Sequence, residues 1–131
     1  MMLTSTLPSD LRAVIKQVKK KYYDIPNKTI ETTDDYLWPL SMSEMGFVTG
    51  NGLTVKEEGD CYEGYTPGKV AGTAYSELIK KAGTKAVSYY TRSKWASGLT
   101  LRGVDTSGKS ATITQGSSSS TSGFAFPCFC I

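Results

Sequence analysis

Histidine is absent from this 131-residue chain, and its absence excludes several kinds of catalysis. Without an imidazole, neither a Ser-His-Asp triad nor a Cys-His pair can form. The sequence also has no zinc-ligand spacing and no glycine-rich phosphate loop behind a strand. Glycoside hydrolysis needs two carboxylates that face each other across a cleft, and the sequence alone does not place a pair in that way. We therefore expect no enzyme activity, no cofactor and no bound metal.

Cysteine is scarce as well, with only Cys61, Cys128 and Cys130. The odd number argues against a disulfide framework. In a strand, Cys128 and Cys130 would point to one face, where they could join Cys61 around a soft metal. We favour the other interpretation, in which they are small buried hydrophobic residues of a terminal strand, because no fourth ligand is evident.

The chain also lacks a long apolar run and a block of one charge. No segment approaches the roughly 18 residues of a membrane span, and residues 1–8 lack the basic and apolar regions of a signal peptide. The net charge is +3, and 19–21 is the one run of lysines, which is too little for a nucleic-acid footprint. We expect neither membrane insertion nor a nucleic-acid partner. For the acidic stretch 57–60 we prefer a solvated loop to a calcium site.

What the sequence does contain is a set of short elements that fit one domain over residues 1–131. Helical spacing predicts a helix that begins near Pro8 and ends near Ile15, and a stronger one over 74–82. A Ser-x-x-Glu pattern predicts a capped turn over 41–46, and 49–73 has the composition of a long irregular loop. Short strands are predicted at 16–23, 29–33, 86–92, 98–104, 110–115 and 123–131, with a hairpin turn at 105–108 and the last, apolar strand buried.

The C-terminal third is rich in Tyr, Trp, Arg and Ser, the residue types that dominate binding surfaces. The alternative for the aromatic residues is a place in the core, and strand alternation predicts that one of Tyr89 and Tyr90 points inward. The Ser-rich stretch 116–123 reads as a linker in isolation, but before a closing strand a ligand-facing loop is the better interpretation. The candidate ligand-binding residues are Tyr89, Tyr90, Thr91, Ser93, Trp95, Ser97, Thr100, Arg102, Asp105, Thr112 and Thr114.

Four segments in order resemble a domain family of gut-bacterial and prophage proteins with W-W-x-R-S-P and G-V-x-P-x-F-x-I signatures. They are Leu7-Pro-Ser-Asp-Leu-Arg-Ala-Val-Ile-Lys16, Thr32-Thr-Asp-Asp-Tyr-Leu-Trp-Pro-Leu-Ser-Met-Ser-Glu44, Ser88-Tyr-Tyr-Thr-Arg-Ser93 and Pro127-Cys-Phe-Cys-Ile131. The sequence departs from the pattern at Tyr89 and Tyr90, where two tryptophans are usual, and at Lys94, where proline is usual.

The resemblance implies an α+β, C-type-lectin-like domain with two short helices and a mostly antiparallel sheet. That fold is similar to the variable proteins of diversity-generating retroelements and to phage tail receptor-binding proteins. In these the C-terminal stretch, here about 89–122, faces the ligand. The motifs of calcium-dependent sugar lectins are missing, so binding of that kind is not expected.

The resemblance therefore predicts a receptor-binding domain of a phage tail or of a bacterial surface or secreted protein. Its partner would be a cell-surface protein or glycan, and a homo-oligomer is compatible with this. Two other functions stay open at this stage. One is a structural or assembly module, which a large apolar patch near the C-terminus would favour. The other is an enzyme of the fold's sulfatase-modifying branch, which a buried Cys128 and Cys130 pair would rule out.

Overall fold

Short antiparallel hairpins make up most of the fold. The computed structural model describes residues 7–24, 27–48, 58–94, 100–114 and 126–131. Its elements are α1 (Ser9–Arg12), β1 (Val18–Asp24), β2 (Thr29–Asp35), a 3-10 turn (Ser76–Leu78), β3 (Lys80–Ala82), β4 (Lys85–Val87), β5 (Tyr89–Lys94), β6 (Thr100–Val104) and β7 (Ser110–Thr114). The strands form three antiparallel sheets, β1-β2, β3-β4 and β5-β6-β7.

The prediction of an α+β, C-type-lectin-like domain with two short helices is wrong. The described residues contain one α-helix of four residues and one 3-10 turn of three residues beside seven strands. They form a small fold of all-β character. The missing helix is the one predicted over 74–82, where the structure has the 3-10 turn followed by β3.

Tertiary pairing explains why that helix does not form. Lys80 to Ala82 pair with β4 across a two-residue turn that begins at Gly83, whose φ is +67°. Glycine adopts this left-handed conformation without steric cost. Leu78, the apolar residue that suggested a helical stripe, is fully buried from the 3-10 turn instead. The hairpin hydrogen bonds and this burial therefore override a modest helix propensity.

Other local predictions are confirmed. The first helix is short, and the strand-like run that follows it pairs as β1 with β2. The β2 strand extends to Asp35, two residues beyond the end predicted for it at residue 33. At the β6–β7 turn, Asp105 accepts hydrogen bonds from the backbone N–H groups of Ser107 and Lys109, at 2.9 and 3.0 Å. Asp105 thus holds the predicted hairpin turn through its side chain.

The turn at 41–46 lies at the centre of the fold. Ser41 and Glu44 form a reciprocal capping box, in which the Ser41 N–H donates to Glu44 Oε1 (3.0 Å) and the Glu44 N–H donates to Ser41 Oγ (3.2 Å). Gly46 closes the turn with a φ of +99°. Met42 and Met45 are fully buried, and they pack in the core with Leu40, Phe47, Leu78, Tyr89 and Val104. The capping box therefore fixes the turn from which the core is built.

The C-terminal segment 126–131 differs from the buried strand that we predicted. It makes isolated antiparallel bridges, Cys128 with Trp38 and Cys130 with Lys16, and no continuous strand. Phe126 and Cys128 pack against the core, but Phe129 is 39% exposed and Ile131 is 70% exposed. The two bridging partners, Lys16 and Trp38, are far apart in the sequence. The alternation of residues within the segment therefore could not predict this pairing.

Candidate functional site

Strand β5 carries the functional side chains, and its pairing with β6 contains a bulge. Tyr90 is opposite Gly103 and Lys94 is opposite Leu101, so three residues of β5 face one residue of β6. Thr91 Oγ1 occupies this irregularity, where it donates to the Arg102 carbonyl at 2.6 Å. Despite this irregularity, burial alternates regularly along β5. Tyr89, Thr91 and Ser93 are buried, and Arg92 lies on the opposite, half-buried face, from which it reaches other chain segments.

The guanidinium of Arg92 joins several chain segments. It donates to the carbonyl oxygens of Lys21 (2.8 Å), Pro39 (3.0 Å) and Glu58 (2.7 Å), and to the carboxylate of Glu44. The backbone N–H of Arg92 also donates to the Leu40 carbonyl. Arginine is suited to this position because its planar fork offers five donors. One side chain thus ties β1, the capped turn and the loop at 58–62 to β5.

The carboxylate of Glu44 is buried and carries two counterions. Only 1% of its side chain is exposed, and Lys20 Nζ donates to Oε2 at 2.6 Å while Arg92 binds Oε1. Burial alone would raise the pKa of Glu44, but the hydrogen bonds and charge of Arg92, together with Lys20, outweigh it and hold the pKa below its ordinary value. Glu44 is therefore ionised and paired, and it is not available as a proton acceptor.

Ser93 and Glu58 extend this arrangement. Ser93 Oγ donates to Glu58 Oε1 at 2.8 Å and accepts from the Met42 N–H at 2.9 Å. Glu58 Oε2 accepts from the Tyr23 N–H at 3.0 Å. We call the five side chains of Lys20, Glu44, Glu58, Arg92 and Ser93 the ionic hub. A cleft of about 440 Å³ opens beside it, with Lys19 and Lys21 at its edge. The hub's charges are matched internally, which indicates a structural role.

A second site lies near the other end of β5. Tyr89 is buried, and its hydroxyl donates to the Leu78 carbonyl at 2.6 Å. Burial, with a smaller contribution from Tyr65, raises the pKa of Tyr89 well above its ordinary value, so the hydroxyl stays a donor. A cavity of about 230 Å³ adjoins this ring, and we call it the Tyr89 pocket. Its walls are Leu40, Met45, Tyr65, Lys80, Tyr89, Tyr90, Thr91, Phe126, Pro127 and Cys128.

Aromatic rings and one cation define the character of the Tyr89 pocket. The rings of Tyr89 and Phe126 meet edge to face, with centroids 5.4 Å apart. Lys80 Nζ lies 5.7 Å from the Tyr89 centroid and 5.8 Å from the Phe126 centroid. No carboxylate is among the residues that line this cavity in the described part of the chain. The pocket can therefore hold an apolar group and place a negative charge against Lys80.

Cys128 forms part of the same wall. It is half-buried, and its backbone is paired with Trp38 in both directions. Burial raises the pKa of the Cys128 thiol, and the charge of Glu44 raises it further. A thiol with a raised pKa is a poor nucleophile at neutral pH. Cys128 therefore contributes a neutral surface to the pocket.

Comparison with known proteins assigns the chain to a family. A family model described as a domain of unknown function, DUF6273, matches residues 1–131. The chain belongs to the DUF6273 family. No curated protein and no solved structure matches it. The family match covers the ionic hub and the Tyr89 pocket alike, and it assigns a role to neither of them.

Four of the predicted ligand-binding residues that the structure describes are buried in this family member, three of them in β5 and the fourth, Arg102, in β6. Tyr89 is 3% exposed, and Thr91 and Ser93 are each 1% exposed. Tyr90 is half-buried and lines the pocket beside Tyr89. The prediction that one of the two tyrosines points inward is confirmed, and the inward one is Tyr89. Thr91 and Ser93 make internal hydrogen bonds, so their polar groups serve the bulge and the hub.

The remaining predicted ligand-binding residues lie farther along the chain. Arg102 is 7% exposed, and burial lowers the pKa of its guanidinium. Arg102 is paired with Thr112 across β6 and β7, and Thr100 with Thr114. Asp105 holds the hairpin turn, as described above. The other two candidates, Trp95 and Ser97, and the Ser-rich stretch 116–123 lie outside the described residues.

Sequence reasoning missed Lys80 and Phe126, which the structure brings together at the pocket. Lys80 has an identical neighbour, Lys81, and only the alternation of β3 separates the half-buried first from the exposed second. Phe126 lies 37 residues from Tyr89, so no local pattern connects the two rings. The signal that could have found the hub was the Ser-x-x-Glu capping box, which marks Glu44.

Metal-ligand groups, cysteine burial and membrane-spanning helices were the subject of three sequence expectations. Among these, no group of three or more acidic or cysteine side chains is arranged to hold a metal ion. Cys128 and Cys61 are half-buried while Cys130 is exposed, so the three are not a set of buried hydrophobic residues. Of the helices in the described ranges, none is long and apolar enough to span a bilayer.

Proposed function

We propose that this chain is a ligand-recognition domain, and that its ligand enters the Tyr89 pocket. The observation that carries the proposal is a cavity walled by four aromatic residues with a single lysine at its side. Binding sites typically combine an apolar lining with a few polar groups that fix orientation. The volume of about 230 Å³ suits one side chain or one ring of a larger partner.

The rigidity of the pocket supports this function. Tyr89 is held by the core and by its hydrogen bond to Leu78, and Cys128 is held by two backbone hydrogen bonds to Trp38. Because these walls are already fixed before binding, less conformational entropy of the protein is lost when a ligand binds. The contacts of Arg92 in the ionic hub anchor the other end of β5. The strand that carries Tyr89 and Tyr90 is therefore held at both ends.

The biological setting that goes with this proposal is a phage tail or a bacterial surface or secreted protein. Its support is the resemblance of the four sequence segments, together with the position of β5 at the start of the stretch 89–122. The partner would be a cell-surface protein or glycan. Sequencing of the gene's neighbours tests this setting: tail genes, or a reverse transcriptase beside a near-copy of the region encoding 85–131, would support it, and a metabolic operon would contradict it.

Ligand entry is tested by two-dimensional 1H–15N NMR titration of the whole chain with two neutral probes, p-cresol and isobutanol. The proposal predicts saturable shifts at Tyr89, Tyr90 and Cys128 and none at β2, which contributes no residue to the pocket lining. Replacement of Tyr90 by alanine should weaken these shifts while the spectrum stays dispersed. Absence of saturable shifts with both probes, and with probes that carry a carboxylate, would overturn the proposal.

An assembly module is the second candidate, and the exposed C-terminal side chains favour it. Phe129 and Ile131, two residues apart in the segment 126–131, are both exposed. Apolar side chains exposed together often mark an interface. Sedimentation equilibrium checks this: a dimer or larger species that becomes monomeric in a Phe129→Ser, Ile131→Ser double variant supports assembly, and a wild-type monomer at about 100 μM rejects it.

A further inference from the structure

Three lysines of this protein lie over pairs of aromatic rings. Lys20 Nζ lies 5.0 Å from the Trp38 centroid and 5.3 Å from the Tyr62 centroid. Lys69 Nζ lies 5.8 Å from the Tyr65 ring and 5.6 Å from the Tyr75 ring. Lys80 has the same environment over Tyr89 and Phe126. The repeated arrangement invites a comparison of how each charge is balanced.

Two of these lysines have a carboxylate from the chain itself. Lys20 binds Glu44 at 2.6 Å, and Lys69 binds Glu77. Lys80 takes part in none of the ion pairs among the described residues, where it lies over the two rings and acts electrostatically on the Cys128 thiol. A cation over rings that is partly removed from water gains most from a nearby anion. The Lys80 site therefore has every part of the other two except the carboxylate.

We propose that the Tyr89 pocket binds the carboxyl-terminal residue of a polypeptide partner, with an apolar side chain among the rings and its terminal carboxylate against Lys80. The inference rests on the proposed ligand-recognition function and adds the chemical class of the ligand. Charge complementarity carries it, since the lining residues offer one cation and no anion. The apolar side chain displaces water from the aromatic walls, which is favourable because apolar surface leaves water.

A sugar carboxylate fits the same pocket less well. A sugar ring carries several hydroxyl groups, and each needs a hydrogen-bond partner when it leaves water. Apart from Lys80, the polar side chains of the lining are mainly hydroxyls and a thiol, and two of these hydroxyls already donate elsewhere. Tyr89 donates to Leu78, and Thr91 donates to Arg102. The walls thus satisfy one carboxylate and an apolar group better than they satisfy a polyol.

The test uses four probes and the NMR readout at Tyr89, Tyr90 and Cys128. They are the peptide acetyl-Gly-Ser-Gly-Phe with a free carboxylate, the same peptide with a carboxamide end, phenylacetate, and methyl β-glucuronide. The free-acid peptide should bind at least about tenfold more tightly than its amide, because a hydrogen bond to a charged group contributes that much affinity. Phenylacetate should bind more weakly than the peptide, and the glucuronide weakest.

Two variants locate the charge. In Lys80→Met, which keeps the length of the side chain, the preference for the free acid over the amide should disappear. In Lys81→Met, the matched control on the exposed side of β3, the preference should remain. Persistence of the preference in Lys80→Met would overturn the assignment, and a dispersed spectrum of that variant verifies that it is folded.

The remaining outcomes separate this inference from the proposed function. Equal binding of the acid and amide peptides would leave the pocket as a ligand site and reject the carboxylate. Phenylacetate as tight as the peptide would reject a chain end as the source of the carboxylate, and the glucuronide as the tightest probe would replace the peptide by an acidic glycan. No saturable shift with any of these probes, nor with p-cresol or isobutanol, would reject both proposals.

Discussion

The sites near the two ends of β5 differ in how the charge of a lysine is balanced. At the ionic hub, Lys20 is enclosed with its counterion Glu44, and Arg92 adds a second cation to the same carboxylate. At the Tyr89 pocket, Lys80 lies beside two aromatic rings and an open cavity, with no carboxylate among the described lining residues. Both lysines lie over aromatic rings, but only Lys20 has a carboxylate counterion among the described residues.

This difference separates stability from recognition. A buried charge that has its counterion and its hydrogen bonds can be lost only with a large penalty, so the hub should dominate the stability of the fold. A lysine at the wall of a cavity keeps part of its hydration and adds little to folding. The comparison therefore predicts large effects on unfolding at the hub and small ones at the pocket, where effects on ligand binding should appear instead.

The largest effect is expected at Glu44. Replacement by glutamine leaves Lys20 and Arg92 buried without their counterion, and loss of one partner of a buried ion pair costs about 3–5 kcal/mol. Urea unfolding followed by circular dichroism measures the change. The matched control is Asp34→Asn, whose partner Lys19 is 74% exposed in its side chain. That change should cost under about 1 kcal/mol. Equal losses in the two variants would contradict the central role of the hub.

The same carboxylate predicts how stability depends on pH. Because the pKa of Glu44 is lower in the folded chain than in the unfolded chain, its charge stabilises the fold above the ordinary carboxyl pKa. This contribution is lost as the pH falls through the folded pKa. The difference in unfolding free energy between wild type and Glu44→Gln should be full at pH 7 and smaller near about pH 3. A difference that grows on acidification would contradict the assignment.

Ser93 should have the next largest effect. Ser93→Ala removes the hydroxyl that links Glu58 to the Met42 N–H and leaves both groups buried with one partner fewer. The expected cost is about 1–3 kcal/mol in urea unfolding. Ser107→Ala, at an exposed turn, is the control and should change stability by less than about 0.5 kcal/mol. A loss at Ser93 no larger than at Ser107 would place Ser93 outside the hub.

The smallest effect is expected at Lys80, and Lys20 at the ionic hub is the residue to compare it with. Lys20→Met should cost about 2 kcal/mol, because Glu44 then keeps only one of its two counterions, Arg92, and loses a hydrogen bond to a charged group. Lys80→Met should change stability by less than about 0.5 kcal/mol, since no ion pair of the described residues is broken. Thermal unfolding of the two variants under identical conditions decides it. If Lys80→Met were the more damaging change, Lys80 would be a structural residue and the pocket a packing defect.

Part of this molecule could be predicted because its signals are local. The capping box at Ser41 and Glu44, the turn at Asp105 and the alternation of Tyr89 with Tyr90 each depend on residues a few positions apart. Such patterns act through neighbouring backbone groups, which the sequence specifies directly. The helix predicted over 74–82 failed for the converse reason, since the pairing of β3 with β4 and the burial of Leu78 competed with a weak local preference.

The sequence by itself determined that histidine chemistry is absent, where the chain turns, and which residues are able to carry charge or stack on a ligand. Only the tertiary structure decided which charges meet. Glu44 and Arg92 are 48 residues apart in the sequence, and the packing of the capped turn against β5 brings their side chains together. Lys80 and Lys81 are identical in the sequence, and only the first lies over aromatic rings. Electrostatic pairing depends on distance in space and on burial, and neither quantity exists until the chain has folded.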